Sequence, residues 1–332
     1  MTQDLPTHRP GFIAVLAFDE GDYLELKEGV ESIDQPILIS SNTIFNLASL
    51  SKQFTACSIL LLEQANKLSL NDKLSTYFPQ MSICADQITL QHLIYHTSGL
   101  YDYIDVAIDH GVSLNQPYTV QDTLDDIFRQ TQTKFQAGTK FEYSNTGYFL
   151  LAQIIEQVTQ TPFSVFAKQN IFEPLGMFNT TIIEKYPLDF PMATGYKISE
   201  NHQYEISESL WTQTGDGAVH STVNDLLKWG HNFKTCQIGG KALINKMMTV
   251  LPKYHINHLP VINHESYAYG LLHVENEYEN ILEHSGEWLG FVSYFLRDIK
   301  NSFTLIVLSN NEDLNVHQIA SQMREKARTI MT

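Results

Sequence analysis

The chain has 332 residues, 43% hydrophobic and 17% charged, enough to bury a substantial core in one large domain or two closely packed ones. Lysine and arginine number 21 against 37 aspartates and glutamates, a net charge of −16, which argues against nucleic acid or an anionic membrane surface as the main partner. No run approaches the roughly 18 consecutive apolar residues of a spanning helix, and Cys57, Cys84 and Cys236 are odd in number and lack metal spacing, which disfavours a disulfide scaffold.

The opening stretch, MTQDLPTHRPG, has neither a basic n-region nor an apolar h-region, so a cytoplasmic location is expected, or a periplasmic or secreted one if a leader has been removed. Phe12 to Phe18 and Tyr23 to Lys27 flank a DEGD turn and predict a β-hairpin. From Leu47 to Leu68, apolar residues recur every three or four positions, and the far side carries Ala56, Ile59 and Leu60. A helix apolar nearly all round is a buried one. Further helices are predicted at Val120 to Gln130, Gly147 to Gln160 and Val223 to Phe233. Strand-like runs follow at Tyr269 to Val274, Leu289 to Leu296 and Phe303 to Ser309; the last, FTLIVLS, is nearly all apolar and predicts a central strand. Leu314 to Met331 reads as a closing helix with Val316, Ile319, Ala320, Met323 and Ala327 on one side. The expected fold is α+β: an antiparallel sheet formed by both chain ends (10–65 and 265–332), flanked by helices, with a largely helical region (66–264) inserted in a single domain.

Into the buried helix the sequence places Ser49 and Lys52, neighbours on one face at i and i+3 and the only SxxK in the chain. A buried ammonium is costly unless it is paired or gives up its proton. A lysine in that position can accept the proton of a serine one turn away, near the positive end of the helix. The bland alternative is a helix start with a lysine reaching out to water. Tyr143-Ser144-Asn145 falls in a loop before a helix, where a phenol can relay protons and an amide can hold a carbonyl. His284-Ser285-Gly286 falls just before the strand LGFVSYFL, and its small residues would let a substrate backbone approach a strand.

These motifs, in this order, resemble the serine β-lactamases and penicillin-binding proteins, specifically their class C-like branch. The resemblance runs from about Pro10 to Asn310, through TIFNLASLSKQFTA, ITLQHLIYHTSGL, FEYSNTGYFLLAQIIE, GDGAVHSTVNDLLKW and HSGEWLGF. It implies that Ser49 is acylated, that Lys52 and Tyr143 share the base and relay work, and that Asn145, His284, Ser285 and Gly286 bind substrate. The backbone N–H groups of Ser49 and Glu287 would form the oxyanion hole. It implies no cofactor and no metal, and a small-molecule or peptide-like substrate. The third motif departs from the lactamase pattern, because His284 stands where lysine is usual. At its ordinary pKa of about 6.5 a histidine is mostly neutral at pH 7. Acidification towards pH 6 is expected to charge it unless its surroundings shift it strongly. Family members with histidine there include esterases, D-amino-acid peptidases and amide hydrolases, so ester or amide hydrolysis is expected ahead of β-lactam hydrolysis. The alternative is a catalytically silent binding or scaffold protein, a role some superfamily members have taken; the complete set of motif residues favours an enzyme.

Other readings fall away. His92 and His96 share the i, i+4 spacing of a zinc protease, but Leu93 occupies the place of the glutamate. His96 is expected instead to hydrogen-bond within the HTSG turn. Gly239-Gly240-Lys241 lacks the Walker spacing, and the chain has no GxSxG. Tyr101-Asp102-Tyr103 either lines the cleft or packs. The cleft walls are assigned to loops around 101–118, 178–210 and 250–268.

Overall fold

The computed structural model describes residues 9–81, 83–185, 191–250 and 266–331. Most of the expected wall loop at 250–268, and part of the one at 178–210, therefore lie outside the described residues. In chain order the strands are β1 (Phe12–Phe18), β2 (Tyr23–Glu28), β3 (Phe45–Asn46), β4 (Thr181–Ile182), β5 (Tyr196–Ile198), β6 (Tyr204–Ile206), β7 (Val219–Ser221), β8 (Ser266–Tyr267), β9 (Leu272–Glu275), β10 (Asn280–Trp288), β11 (Phe291–Asp298) and β12 (Phe303–Ser309). The helices are α1 (Lys52–Gln64), α2 (Leu74–Tyr77), α3 (Leu90–Ile94), α4 (Tyr103–Asp109), α5 (Val120–Phe128), α6 (Asn145–Thr159), α7 (Phe163–Ala167), α8 (Val223–Thr235), α9 (Gly240–Met247) and α10 (Val316–Met331).

Both chain ends build one antiparallel sheet, in the order β2-β1-β12-β11-β10-β9-β8. β12 is interior, and all seven of its residues are buried because both faces are covered. The period-two alternation sorts β1 cleanly. Ile13 and Val15 face the core shared with Phe54 and Trp229, whereas Ala14 and Leu16 face Met323 and Ala327 of α10. On the first face lies α1, with ten of its thirteen residues buried, which explains why its sequence is apolar all round. The helix is shorter than predicted: it ends at Gln64, and Asn66 turns the chain with a left-handed φ of 54°.

Two strand expectations need correction. Tyr269 to Val274 is not one strand, because Gly270 (φ 73°) turns the chain between β8 and β9. A Cβ at Gly270 would lie 2.5 Å from the backbone at Lys52 and Gln53, so this turn presses on the start of α1. His284-Ser285-Gly286 does not precede a strand but lies within β10, paired with Phe295, Tyr294 and Ser293 of β11. The inserted region carries the short strands β4 to β7 besides its helices. Among the described residues no helix is long and apolar enough to cross a membrane.

Candidate active site

Ser49 lies not in α1 but in a 3₁₀ turn, Ala48–Ser51, that leads into it. Three residues complete a 3₁₀ turn, so Ser49 and Lys52 nearly eclipse instead of standing 60° apart. The turn starts from strain. Ala48 has φ 48°, a conformation that costs a residue with a Cβ about 1–2 kcal/mol, and its N–H donates to Asn46 Oδ1 at 2.8 Å. Three side chains then tie the turn to the segment 215–219. Thr55 donates to the Gly215 carbonyl at 2.7 Å, Lys52 to the Asp216 carbonyl at 2.8 Å, and the Ser51 hydroxyl accepts from Val219 N–H at 3.0 Å.

Lys52 is fully buried, so it does not reach out to water. Its Nζ donates to Ser49 Oγ at 3.0 Å, Asn145 Oδ1 at 2.9 Å and the Asp216 carbonyl. Those three contacts occupy every ammonium proton. Tyr143 meets Lys52 through its ring face, 4.9 Å from Nζ, and its buried hydroxyl finds no hydrogen-bond partner among the described residues. Asn145, the first residue of α6, is held from behind. Asp102 Oδ2 accepts from its backbone N–H at 2.6 Å and its side-chain Nδ2 at 3.0 Å. That contact fixes the amide so that Oδ1 faces Lys52. Burial raises the Asp102 pKa, against the N–H groups of Asn145 and Ile104 that stabilise its charge.

β10 supplies the opposite wall. Gly286 lies where a Cβ would come within 2.3 Å of the Leu47 carbonyl, so the strand touches the Ser49 turn backbone to backbone. Ser293 on β11 donates to the same carbonyl at 2.7 Å. His284 is buried and its Nδ1–H donates to the Ser285 carbonyl at 2.5 Å, which leaves Nε2 as an acceptor. Burial and the nearby Lys52 charge push its pKa down to about 4, so acidification to pH 6 leaves it neutral. Ser49, Tyr143, Asn145, His284, Ser285 and Glu287 all border one cavity of about 600 Å³, with Trp211, Trp288 and Tyr103 among its apolar walls.

Three residues at the centre lie in the segments ITLQHLIYHTSGL, Tyr101-Asp102-Tyr103 and GDGAVHSTVNDLLKW, which by themselves assign them no catalytic or binding role. His96 accepts from Ser144 N–H at 3.1 Å, not within its own turn, and stacks on Tyr143 with ring centroids 4.3 Å apart. Asp102 orients Asn145. Asp216 accepts from Tyr103 Oη at 2.9 Å, and burial pushes its pKa up to about 6 despite Lys52 and that hydroxyl. Tyr103 thus borders the cavity, whereas Asp102 braces it from behind. Among the described residues no cluster of three or more metal-binding side chains occurs; His92 instead caps its own helix, accepting from Thr89 N–H at 3.1 Å.

The buried imidazoles have a measurable consequence. Burial drives His220 and His284 down to about 4 and His96 well below its usual value. All three are neutral in the fold but protonate near 6.5 when unfolded. Their contribution to stability is therefore complete above pH 6.5 and falls as the pH drops towards 4; Asp216 works in the opposite sense between 3.8 and 6. His220→Gln should flatten the fall of unfolding free energy between pH 6.5 and 4.5, by about 1.4 kcal/mol per pH unit at most. Urea titrations at several pH values check this, and parallel curves for the variant and the parent would refute it.

A serine and a buried lysine joined by a hydrogen bond, an amide on the next helix and a small-residue strand opposite define a serine hydrolase-type enzyme of the β-lactamase and transpeptidase fold. The chain belongs to the Beta-lactamase family, whose model matches residues 2–327. It is 31% identical over 319 residues to Penicillin-binding protein 4* of Bacillus subtilis (strain 168), covering 90% of this chain and 68% of that protein. Among solved structures, a penicillin-binding protein from Bacillus halodurans superposes with a TM-score of 0.80 at 22% identity, covering 96% of this chain and 95% of the other. The D-amino acid amidase of Ochrobactrum anthropi SV3 superposes with a TM-score of 0.76 at 23% identity, covering 91% and 86%.

Proposed function

We propose that this protein is a serine hydrolase that works through an acyl-enzyme on Ser49 and cleaves an ester, an amide or a D-amino-acid peptide bond, with β-lactam hydrolysis at most a weak side activity. The observation that carries this reading is the 3.0 Å contact between Ser49 Oγ and the Nζ of a fully buried Lys52. For the attack, the Lys52–Tyr143 pair must first release one proton to solvent; Ser49 Oγ then attacks the carbonyl while the pair takes the serine proton, and it returns that proton to the leaving group. The backbone N–H groups of Ser49 and Glu287 receive the developing oxyanion. Asn145 has one Nδ2 proton left after Asp102, enough to hold a substrate carbonyl. Water then enters and the same pair activates it. Neutral His284 supports uncharged ester and amide substrates over anionic β-lactams, and the structural likeness to an amidase points the same way.

An active-site serine phosphonate should add once per chain, on the peptide that contains Ser49, and Ser49→Ala should abolish both labelling and ester turnover. An adduct on Ser51, whose hydroxyl is engaged with Val219, or full activity of Ser49→Ala, would sink the mechanism. No labelling at all would favour the silent, binding-protein alternative.

A further inference from the structure

We propose that the cleft selects acyl groups that carry a positively charged amine and rejects those that carry a carboxylate. The proposal rests on the acyl-enzyme reading of Ser49 and names the class of substrate for that site. Among the described residues bordering the cavity at Ser49 there is no lysine or arginine, but there are Asp216 and Glu287, besides Glu283, which accepts from Tyr294 Oη and faces Arg324 and His317, and Glu312, which accepts from Ser207 Oγ and Gly290 N–H. Lys52, behind the serine, has each of its protons committed to Ser49, Asn145 or the Asp216 carbonyl. His284, on the wall opposite, is buried and holds its Nδ1 proton on the Ser285 carbonyl. Among the described residues a substrate carboxylate would therefore find no cation with a free proton to replace its lost hydration, an expensive exchange.

An ammonium meets the opposite situation. Asp216 is 7% exposed, and only one of its carboxylate oxygens is occupied, by Tyr103 Oη. The other, Oδ1, is buried and accepts no hydrogen bond from any other described residue. A buried carboxylate oxygen left open beside a catalytic cavity calls for a donor, and a charged one forms the stronger bond. His220 repeats the pattern: its Nδ1 donates to the Ala218 carbonyl at 3.0 Å, and its buried Nε2 is an unpartnered acceptor. A second space shares Asn46, His220, Trp288 and Leu289 with the first and, among the described residues, adds Glu184 and Glu208 against one cation, Lys185. Among the described residues bordering the two spaces, negative side chains thus outnumber positive ones, an arrangement that favours a cationic group.

The test uses three p-nitroanilides of matched length, those of 4-aminobutyrate, pentanoate and glutarate, which place a cation, a methyl and an anion at one point. At low salt, kcat/KM should fall in that order and span at least about tenfold, and the span should shrink several-fold in 0.5 M salt as screening sets in. Asp216→Asn should lower the ratio of the aminobutyryl to the pentanoyl rate. Should that variant fail to fold, Glu287→Gln, at an exposed position on the same wall, should lower the same ratio. Equal rates for all three substrates, or the fastest rate for glutarate, would overturn the proposal while phosphonate labelling of Ser49 left the hydrolase reading intact. Absence of labelling and of turnover with every member would overturn both.

Discussion

Replacing Lys52 with alanine should slow acylation of Ser49 by about 10²- to 10⁴-fold, the range of a positioned acid–base group. The loss has two parts. The first is chemical, because the group 3.0 Å from Ser49 Oγ that can move its proton is gone. The second is structural: Asn145 Oδ1 and the Asp216 carbonyl lose their donor, and each buried acceptor left unmade costs about 1–3 kcal/mol. Tyr143→Phe separates the two, since it keeps the ring that Lys52 and His96 rest on and removes only a hydroxyl without a partner. It should leave stability almost unchanged yet cost at least about a hundredfold in acylation. The double variant should be little worse than the poorer single, because one proton path fails once. Strict additivity in the cycle, read from stopped-flow labelling rates, would show that the two side chains act independently.

Gly286→Ala should be nearly as damaging for a different reason. The new methyl would lie 2.3 Å from the Leu47 carbonyl, 2.5 Å from Ser293 Oγ and 3.1 Å from the Ala48 Cβ. None of these can retreat freely: the carbonyl accepts from Ser293, and Ala48 is already strained. Relief must come from parting β10 and the nucleophile turn, which moves Ser49 relative to the opposite wall. Overpacking of this kind costs about 1–3 kcal/mol, and an ångström of displacement at a reacting centre costs about a hundredfold in rate. Thermal unfolding and phosphonate labelling measure the two effects. Gly217→Ala is the control, since its Cβ meets nothing within 4 Å although Gly217 borders the same cavity. A labelling rate for Gly286→Ala equal to that of the control would refute the close-contact argument.

The sheet and the helices that flank it were legible because burial on two faces leaves a simple trace. FTLIVLS is apolar throughout because helices cover both sides, and α6 shows its stripe because one side meets α1 and α3. Ser49, Lys52, Tyr143 and Asn145 were legible because each pair belongs to one short segment of chain. The rest was not. β10 reads as a loop because HSGEW lines a cavity, where small and polar residues replace the alternation that marks a strand. The 3₁₀ turn at Ser49 depends on a left-handed Ala48 held by Asn46, and no periodicity records that. His96 and Asp102, from the loop between α3 and α4, and Asp216, from the segment before β7, meet at the site through hydrogen bonds that the fold creates.

Phe12 pairs with Ser309, and the register continues to Phe18 and Phe303, so β1 must wait for a partner that lies far downstream in the sequence. Until β12 has been made, β1 has β2 beside it and a bare edge on the other side, a template for the wrong partner. β10 and β11, which wall the cleft, also emerge in the final sixth of the chain. Synthesis should therefore pass through a long-lived species with its helices formed and its sheet open, and closure of the sheet across so many residues should limit the folding rate. Under the function proposed above, Ser49 is expected to label only once β10 and β11 wall the cleft, so the appearance of phosphonate labelling during refolding should time the closure of the sheet.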